Sequence, residues 1–426
     1  MGGDEIKIVF RDCIRSILEI IQKYGKVQTY YSYAPKIDLL NRSWHLALEQ
    51  KNIYPHLFEF ENELMKLPAV KKCLDLMLKE DFPKRLEMNI ADKNGKPAQN
   101  PNYEPSLIDK SLIAEILNVM VTKYLEEYGY DFNEEKFEKI YEEMISYVYS
   151  PEREFVLVSP LENFDLKDLD EFSVDEYKAR KLNEQEMKIL ISFGYFPSFV
   201  FTPYGGIIEN IYCIERVIKT SNRNMPPVQP SYIEDFVTAL RLFKSGVTGF
   251  NTMLFYQKIW VISWGMLTLH RYKFTRYPKY VFERKDLESF LSFWSQFKKV
   301  KDQFSNNIKF SLRWFNRSYT EQDVLDRLLD LAIALEVLFN NSNRLDLYIS
   351  HFIGSNKDER LKISKNMNDL RKIRGAIVHS GHYECKQEFF DLIENYYRLS
   401  MQKFLKLLHD LNYEEIIESI KESILD

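Results

Sequence analysis

The stretch Leu370 to Gly381, "LRKIRGAIVHSG", decides how the chain is read. Leu370, Ile373 and Ile377 recur at helical spacing and form one apolar stripe. Arg371, Lys372 and Arg374 point away from it. Ser380-Gly381 is a natural helix stop, because glycine adopts the left-handed conformation after a last turn. His379 therefore falls in the final turn, where the helix macrodipole favours cations for purely structural reasons.

Working outward, a long helix follows from Lys386 to Leu411, "KQEFFDLIENYYRLSMQKFLKLLHDL". Helical patterns also precede it: "KDLESFLSFWSQFKKV", "NIKFSLRWFNRSY" and "DVLDRLLDLAIALEVLFN". Residues 301–426 thus predict an antiparallel helical bundle with short connections. Residues 1–150 read as helical. "RDCIRSILEIIQKYG" places Cys13, Ile14, Ile17, Leu18 and Ile21 on one stripe, and Pro68 breaks a second helical pattern. Asn89 to Pro105 is polar, holds three prolines, and reads as an exposed loop. About 151–300 reads as a small α+β region. "EREFVLVSPLENF", "PSFVFTPYGGIIENIYCIERVI" and "GVTGFNTMLFYQKIWVISW" are rich in β-formers bounded by turn residues. Ser221 to Ser231 is a loop with three prolines. The expected fold class is mainly α, with a small α+β middle and a C-terminal antiparallel bundle.

Composition bounds the function. The 426 residues are 45% hydrophobic and 28% charged, so a sizeable core can form. The net charge of −5 means that any anion-binding surface is a local patch. Cys13, Cys73, Cys213 and Cys385 are scattered, which argues against a zinc ribbon or a disulfide framework. The N-terminus shows no signal-peptide pattern, and the apolar run Ile259 to Leu269 is too short to span a bilayer. The expectation is a cytoplasmic protein with no membrane contact. The seven histidines are dispersed apart from His379 and His382, so no metal and no cofactor is expected. "TPYGG" at Thr202 to Gly206 lacks a phosphate-loop pattern and reads as a turn. "FGYFPSFVF", Phe193 to Phe201, could stack bases but is better explained as a buried strand.

Within the bundle, Asp323, Asp326, Arg327 and Asp330 share one helical face, which reads as solvated. Glu336 falls off that face, among Leu329, Ala332 and Ile333. A carboxylate there is either partly buried against a cationic or hydrogen-bonding partner or marks the surface near the helix end. Lys357 to Arg374 carries seven cations against Asp358, Glu359 and Asp369, a net +4 suited to phosphate. A solvated basic face explains the same count.

Arg374, four residues, then His379 and the closing "IVHSG", preceded by "ALEVLF" and "IKFSLRWFNRSY", resemble the HEPN superfamily, and within it the Apea-like branch. The resemblance covers about 120 residues, from Asn307 to near Asp410. It implies a metal-independent endoribonuclease whose Arg-His motifs meet across a twofold homodimer interface. Carried over by position, Arg374 and His379 are the catalytic pair. Glu336, Arg371, Lys372 and His382 are supporting candidates, although an exposed loop residue is the simpler account of His382. RNA, such as tRNA or mRNA, would be the substrate, and antiviral defence by abortive infection the setting. The first 300 residues would sense a phage-derived or protein trigger, or position the substrate. The family often has a polar residue directly after the arginine, where this chain has Gly375. That departure favours the alternative, a non-catalytic HEPN-fold module for dimerisation or RNA binding.

The residue types suit the chemistry. Attack by a ribose 2′-hydroxyl needs a base, an acid for the leaving oxygen, and charge stabilisation at phosphorus. Histidine serves in either proton role, and arginine offers a fixed fork of donors to phosphate. A symmetric pair of motifs supplies both proton roles.

Overall fold

The computed structural model describes residues 3–24, 28–38, 43–53, 64, 66–79, 117, 120–121, 123–125, 127–150, 152–183, 186–187, 190, 211–220, 228–257, 264–268, 278–321, 323–341, 343–380 and 385–425. The expected loop at 89–105, the "FGYFPSFVF" and "TPYGG" stretches, and most of the loop at 221–231 lie outside them. The chain divides into two compact units. One comprises 1–157, 216–228 and 254–266, and the other 158–215, 229–253 and 267–426.

In the first unit, helix α1 (Gly3–Tyr24) buries Ile6, Phe10, Cys13, Ile14, Ile17, Leu18 and Ile21, the predicted stripe extended by two turns. It packs against α2 (Pro68–Lys79) and α3 (Glu134–Tyr149). All four cysteines are free thiols. Residues 1–150 read as helical outside the loop at 89–105, yet β1 (Gln28–Asp38) and β2 (Ser43–Ile53) form an antiparallel ladder from Gln28↔Ile53 to Asp38↔Ser43. Thr29, Tyr30, Tyr31 and Tyr33 favour extended backbone, and Pro35 cannot sit in a helix interior.

The middle of the chain carries β3 (Arg153–Pro160), β4 (Phe164–Lys167), β5 (Glu171–Val174), β6 (Tyr177–Lys181), β7 (Tyr212–Thr220), β8 (Thr252–Gln257), β9 (Trp264–Thr268) and β10 (Tyr280–Glu283). Strands β5-β6-β7-β3-β8-β9 form one sheet in that order, with β5 and β6 antiparallel. β4 and β10 pair in parallel.

In the second unit, α4 (Ser231–Phe243) and α5 (Leu287–Lys301) share an aromatic core with the strands. Phe172 stacks on Phe282 at 4.4 Å between ring centres, and Phe236 and Phe290 meet edge to face at 5.6 Å. The C-terminal helices follow as α6 (Asn306–Ser318), α7 (Val324–Leu338), α8 (Leu345–Ile353), α9 (Lys357–Ser380), α10 (Gln387–Leu407) and α11 (Tyr413–Leu425). Cross-links show α6 and α7 to be antiparallel: Asn307 reaches the Val337 carbonyl, Ser311 that of Ala334, and Arg327 that of Ser318. α8 and α9 run antiparallel likewise, with Asn343 near Arg371 and Gly354 near Arg360. A mainly helical chain with a small sheet in the middle is what the sequence predicts.

Residues 229–253 fall in the same compact unit as residues 267–426, and contacts at the end of α4 join them. Arg398 of α10 donates its Nε–H to the Arg241 carbonyl at 2.9 Å, and Gln402 donates to the Leu242 carbonyl at 2.8 Å. The bundle thus caps a helix from the α+β region. Arg398 is 3% exposed, and its guanidinium also pairs with buried Glu394.

The helical face expected to be solvated is buried in part. Asp323 and Asp326 are exposed, but Arg327 and Asp330 are buried, at 1% and 3%. Arg327 lies over the Phe390 ring at 4.0 Å while donating to the Ser318 carbonyl at 2.9 Å. Asp330 lies 3.4 Å from Arg317. Burial pushes its carboxyl up to about 6, against the pull of Arg317.

Two predictions follow from these buried groups. Arg398→Ala strips the partner from Glu394 and a donor from the end of α4. It should lower stability by about 3–5 kcal/mol in urea unfolding; a loss under about 1 kcal/mol would show that the pair is dispensable. Between pH 3.8 and about 6, Asp330 holds a proton in the folded state that the unfolded chain releases. Its stabilising contribution is full below its ordinary value of 3.8 and fades as pH rises through about 6. Asp330→Asn should flatten the stability-versus-pH curve across that window, and an unchanged slope would refute the assignment.

Candidate functional site

The arginine of the opening stretch lies on α9 and faces α7 and α8. Arg374 Nη2 sits 3.2 Å from Glu336 Oε2 on α7. The pair is lopsided in burial, with the Arg374 side chain 40% exposed and that of Glu336 19%. Desolvation raises the Glu336 carboxyl above its ordinary value, and the Arg374 charge pulls it back. Glu336 is therefore partly buried against a cationic partner, one of the two accounts its position allows. The Arg374 Nε is buried without a hydrogen-bond partner, so the guanidinium is anchored at one edge only.

The cleft around this pair has about 20 Å³ of internal space, roughly enough for one water. α7 contributes Ala332 and Glu336, α8 contributes Leu345 and Asp346, and α9 contributes Asn368, Arg371 and Arg374. Asp346 Oδ2 accepts from Ser364 Oγ at 3.0 Å and from Asn368 Nδ2 at 3.2 Å. Sequence reasoning missed Asp346. It neighbours the site only because α8 folds back along α9, and no spacing along the chain announces that. A cleft this small holds no nucleotide, so a phosphate would meet Arg374 at its exposed edge.

The remaining candidates are dispersed. Arg371 is exposed, donating to Asn368 Oδ1 at 3.0 Å and to the Asn343 carbonyl at 3.3 Å. Lys372 is exposed and pairs with Asp369 at 3.2 Å, an ordinary surface contact. His379 is exposed in the last turn of α9, and among the described residues nothing hydrogen-bonds to its side chain. It lies five positions on from Arg374, about 140° around the helix and about 7.5 Å along it. One chain therefore does not place Arg374 and His379 on the same face. His382 lies outside the described residues.

The outer ridge of α9 consists of Leu361, Lys365, Lys372 and His379, all exposed and within about 40° of one line. Leu361 is 61% exposed, and Val378, beside His379 in sequence, is 59%. A Cβ added at Gly375 would meet nothing within 4 Å. Among the described residues no group of three His, Cys, Asp or Glu could hold a metal ion, and no helix is long and apolar enough to cross a membrane.

No family model, curated protein or solved structure matches the chain.

Because Arg374 holds the Glu336 carboxyl down against burial, its removal has a signed consequence. In Arg374→Ala, the Glu336 titration followed by carboxyl-carbon NMR should move further up. A downward move would mean that Arg374 does not act on Glu336 electrostatically.

Proposed function

We propose that the chain is a metal-independent endoribonuclease acting as a homodimer, with Arg374 and His379 as its catalytic pair. One observation carries the reading. Arg374 is anchored by Glu336 at one edge with its Nε unpartnered, while His379 stands uncommitted at the exposed end of the same helix. An anchored guanidinium presents fixed donors to a phosphate, and an exposed imidazole is free to move protons.

The separation of the two residues within one chain requires a second copy. A twofold axis near the end of α9 would bring one copy's His379 towards the other's Arg374. Exposed Val378 gives that contact apolar area, and Gly375 leaves room for close approach. In the reaction, the 2′-oxygen attacks phosphorus and the bond from phosphorus to the 5′-oxygen breaks. One histidine takes the 2′-hydroxyl proton and the other protonates the 5′-oxygen. Arginine stabilises the phosphorane. The products carry 2′,3′-cyclic phosphate and 5′-hydroxyl ends. Exposed Lys357, Lys362, Lys365 and Lys372 on α9 suit the approach of a polyanion. The resemblance of "IRGAIVHSG" and its flanking helices to HEPN proteins adds the HEPN-like bundle, a setting in antiviral defence and a trigger acting on the N-terminal region.

A second reading, a non-catalytic HEPN-fold module that dimerises or binds RNA, is favoured by a specific contact. The Arg374–Glu336 pair already occupies part of the arginine's charge within the chain.

The deciding measurement is cleavage of total cellular RNA in EDTA by wild type, Arg374→Ala and His379→Ala. Wild type should yield cyclic-phosphate ends, and each variant should lose about 10²–10⁴-fold in rate. Equal cleavage by all three would remove the assigned pair. Cleavage abolished by EDTA would overturn the metal-independent mechanism. Silence of the wild type, alone and with lysate from infected cells, would leave the module reading.

A further inference from the structure

A second basic surface lies on α6. This helix carries Lys309, Arg313 and Arg317, four residues apart, and no acidic residue. The three stack on one face with about 6 Å of rise between neighbours. Two features of that arrangement work against the helix. Like charges at i and i+4 repel. Lys309 also lies one turn from the N-terminus, whose dipole disfavours cations, and the first turn holds no acid to offset it. Among the described residues, neither Lys309 nor Arg313 has an ion-pair partner.

These cations border a groove of about 690 Å³ between α4, α5 and α6. Arg241, Lys301, Lys309, Arg313 and Arg317 line it, against Glu234 and Asp235 alone among acids. Lys301 is paired with Asp235, and Arg317 with Glu321 at 3.3 Å. Lys309 and Arg313 therefore supply the uncompensated charge. An aromatic row lies beside the cations, about 100° round the helix and outside the lining of the groove. Phe310 is 54% exposed, and Trp314, one turn on, is half-buried with the Arg317 guanidinium 4.8 Å above its ring.

We infer that this groove and the α6 ridge bind single-stranded RNA, holding the substrate of the proposed nuclease away from the Arg374 cleft. The inference rests on the proposed RNA chemistry for its ligand, but its residues are separate from that site. Evenly spaced cations suit a ligand whose charges repeat evenly along a backbone. The exposed Phe310 ring on the ridge beside them offers stacking to an unpaired base. An acidic peptide would satisfy the charges and leave Phe310 without a planar partner.

The test is fluorescence anisotropy with a labelled oligouridylate, in EDTA, using the full chain with Arg374→Ala so that RNA is not cut. Adding Lys309→Gln and Arg313→Gln should weaken binding roughly tenfold and flatten the dependence of log affinity on log salt by about 0.7 per cation removed. Adding Phe310→Ala should weaken binding by about tenfold through lost stacking. Thermal unfolding of the double Gln variant should stay level or rise, since repulsion within α6 is relieved. Unchanged affinity and salt slope in the Gln variant would overturn the groove, as would no RNA binding by the parent. Tighter binding of poly-glutamate than of RNA would overturn it in favour of an acidic protein partner. The two readings fail separately. A nuclease whose Gln variant binds as before loses only the groove. Groove-dependent binding by a wild type that never cleaves loses only the nuclease.

Discussion

Among the described residues of the second unit, Arg241, Arg327 and Arg398 are buried, and each sends its Nε–H to a backbone carbonyl, which for Arg327 and Arg398 lies in the last turn of a helix. Arg241 donates to Thr248 at 2.8 Å, Arg327 to Ser318 at 2.9 Å and Arg398 to Arg241 at 2.9 Å. The last carbonyls of a helix have no partner within it, and burying them unpaired is costly. A buried guanidinium has the complementary need for acceptors. Joining the two needs fixes where helices from distant parts of the sequence must end against one another. Arg398 and Gln402 of α10 close α4, and Arg327 of α7 closes α6. These contacts tie α4 to the C-terminal helices within the second unit.

The same constraint reaches the candidate site through α7. Arg327 and Glu336 are nine residues apart on that helix, which places them on opposite sides, about 14 Å apart along the axis. One side is held by Arg327 against Ser318 and Phe390, the other by the pairing of Glu336 with Arg374. The position of the Glu336 carboxylate, and with it the orientation of Arg374, thus depends on how α7 docks on α6 and α10. A substitution in the buried arginine network would be expected to disturb Arg374 without touching it.

The helices were legible because their apolar residues repeat at helical spacing. Cys13, Ile14, Ile17, Leu18 and Ile21 of α1 are all buried, as are Leu370 and Ile373 of α9. The polar residues misled for a physical reason. Helical periodicity places Asp323, Asp326, Arg327 and Asp330 on one face and gives no hint that another helix end needs a donor there. Arg327 is buried for the sake of the Ser318 carbonyl, a partner defined only after α6 and α7 have turned on each other. The β1–β2 hairpin was hidden because no apolar/polar alternation separates "QTYYSYAPKID" from its surroundings. Its β-branched and tyrosine content was the available signal. At the site, Glu336 stood out as a carboxylate among apolar neighbours. Asp346 did not, because its place beside the cleft is set by the α8–α9 turn alone.

The distribution of charge gives the last step. The chain is acidic by five charges, yet α6 carries three cations and no acid, and 357–374 of α9 carries a net +4. Acids gather elsewhere in the bundle, as on α11, where Glu414, Glu415, Glu418 and Glu422 face a single Lys421. Mixing signs along each helix would have stabilised it through neighbouring pairs. Concentrating cations on α6 and α9 forgoes that gain and adds repulsion within each. The buried arginines are engaged by carbonyls, rings and carboxylates, whereas Lys309 and Arg313 of α6 and Lys357, Lys362 and Lys365 of α9 are exposed. A polyanion that reached both would relieve the repulsion on each, and its binding would therefore be tighter than either face alone supplies.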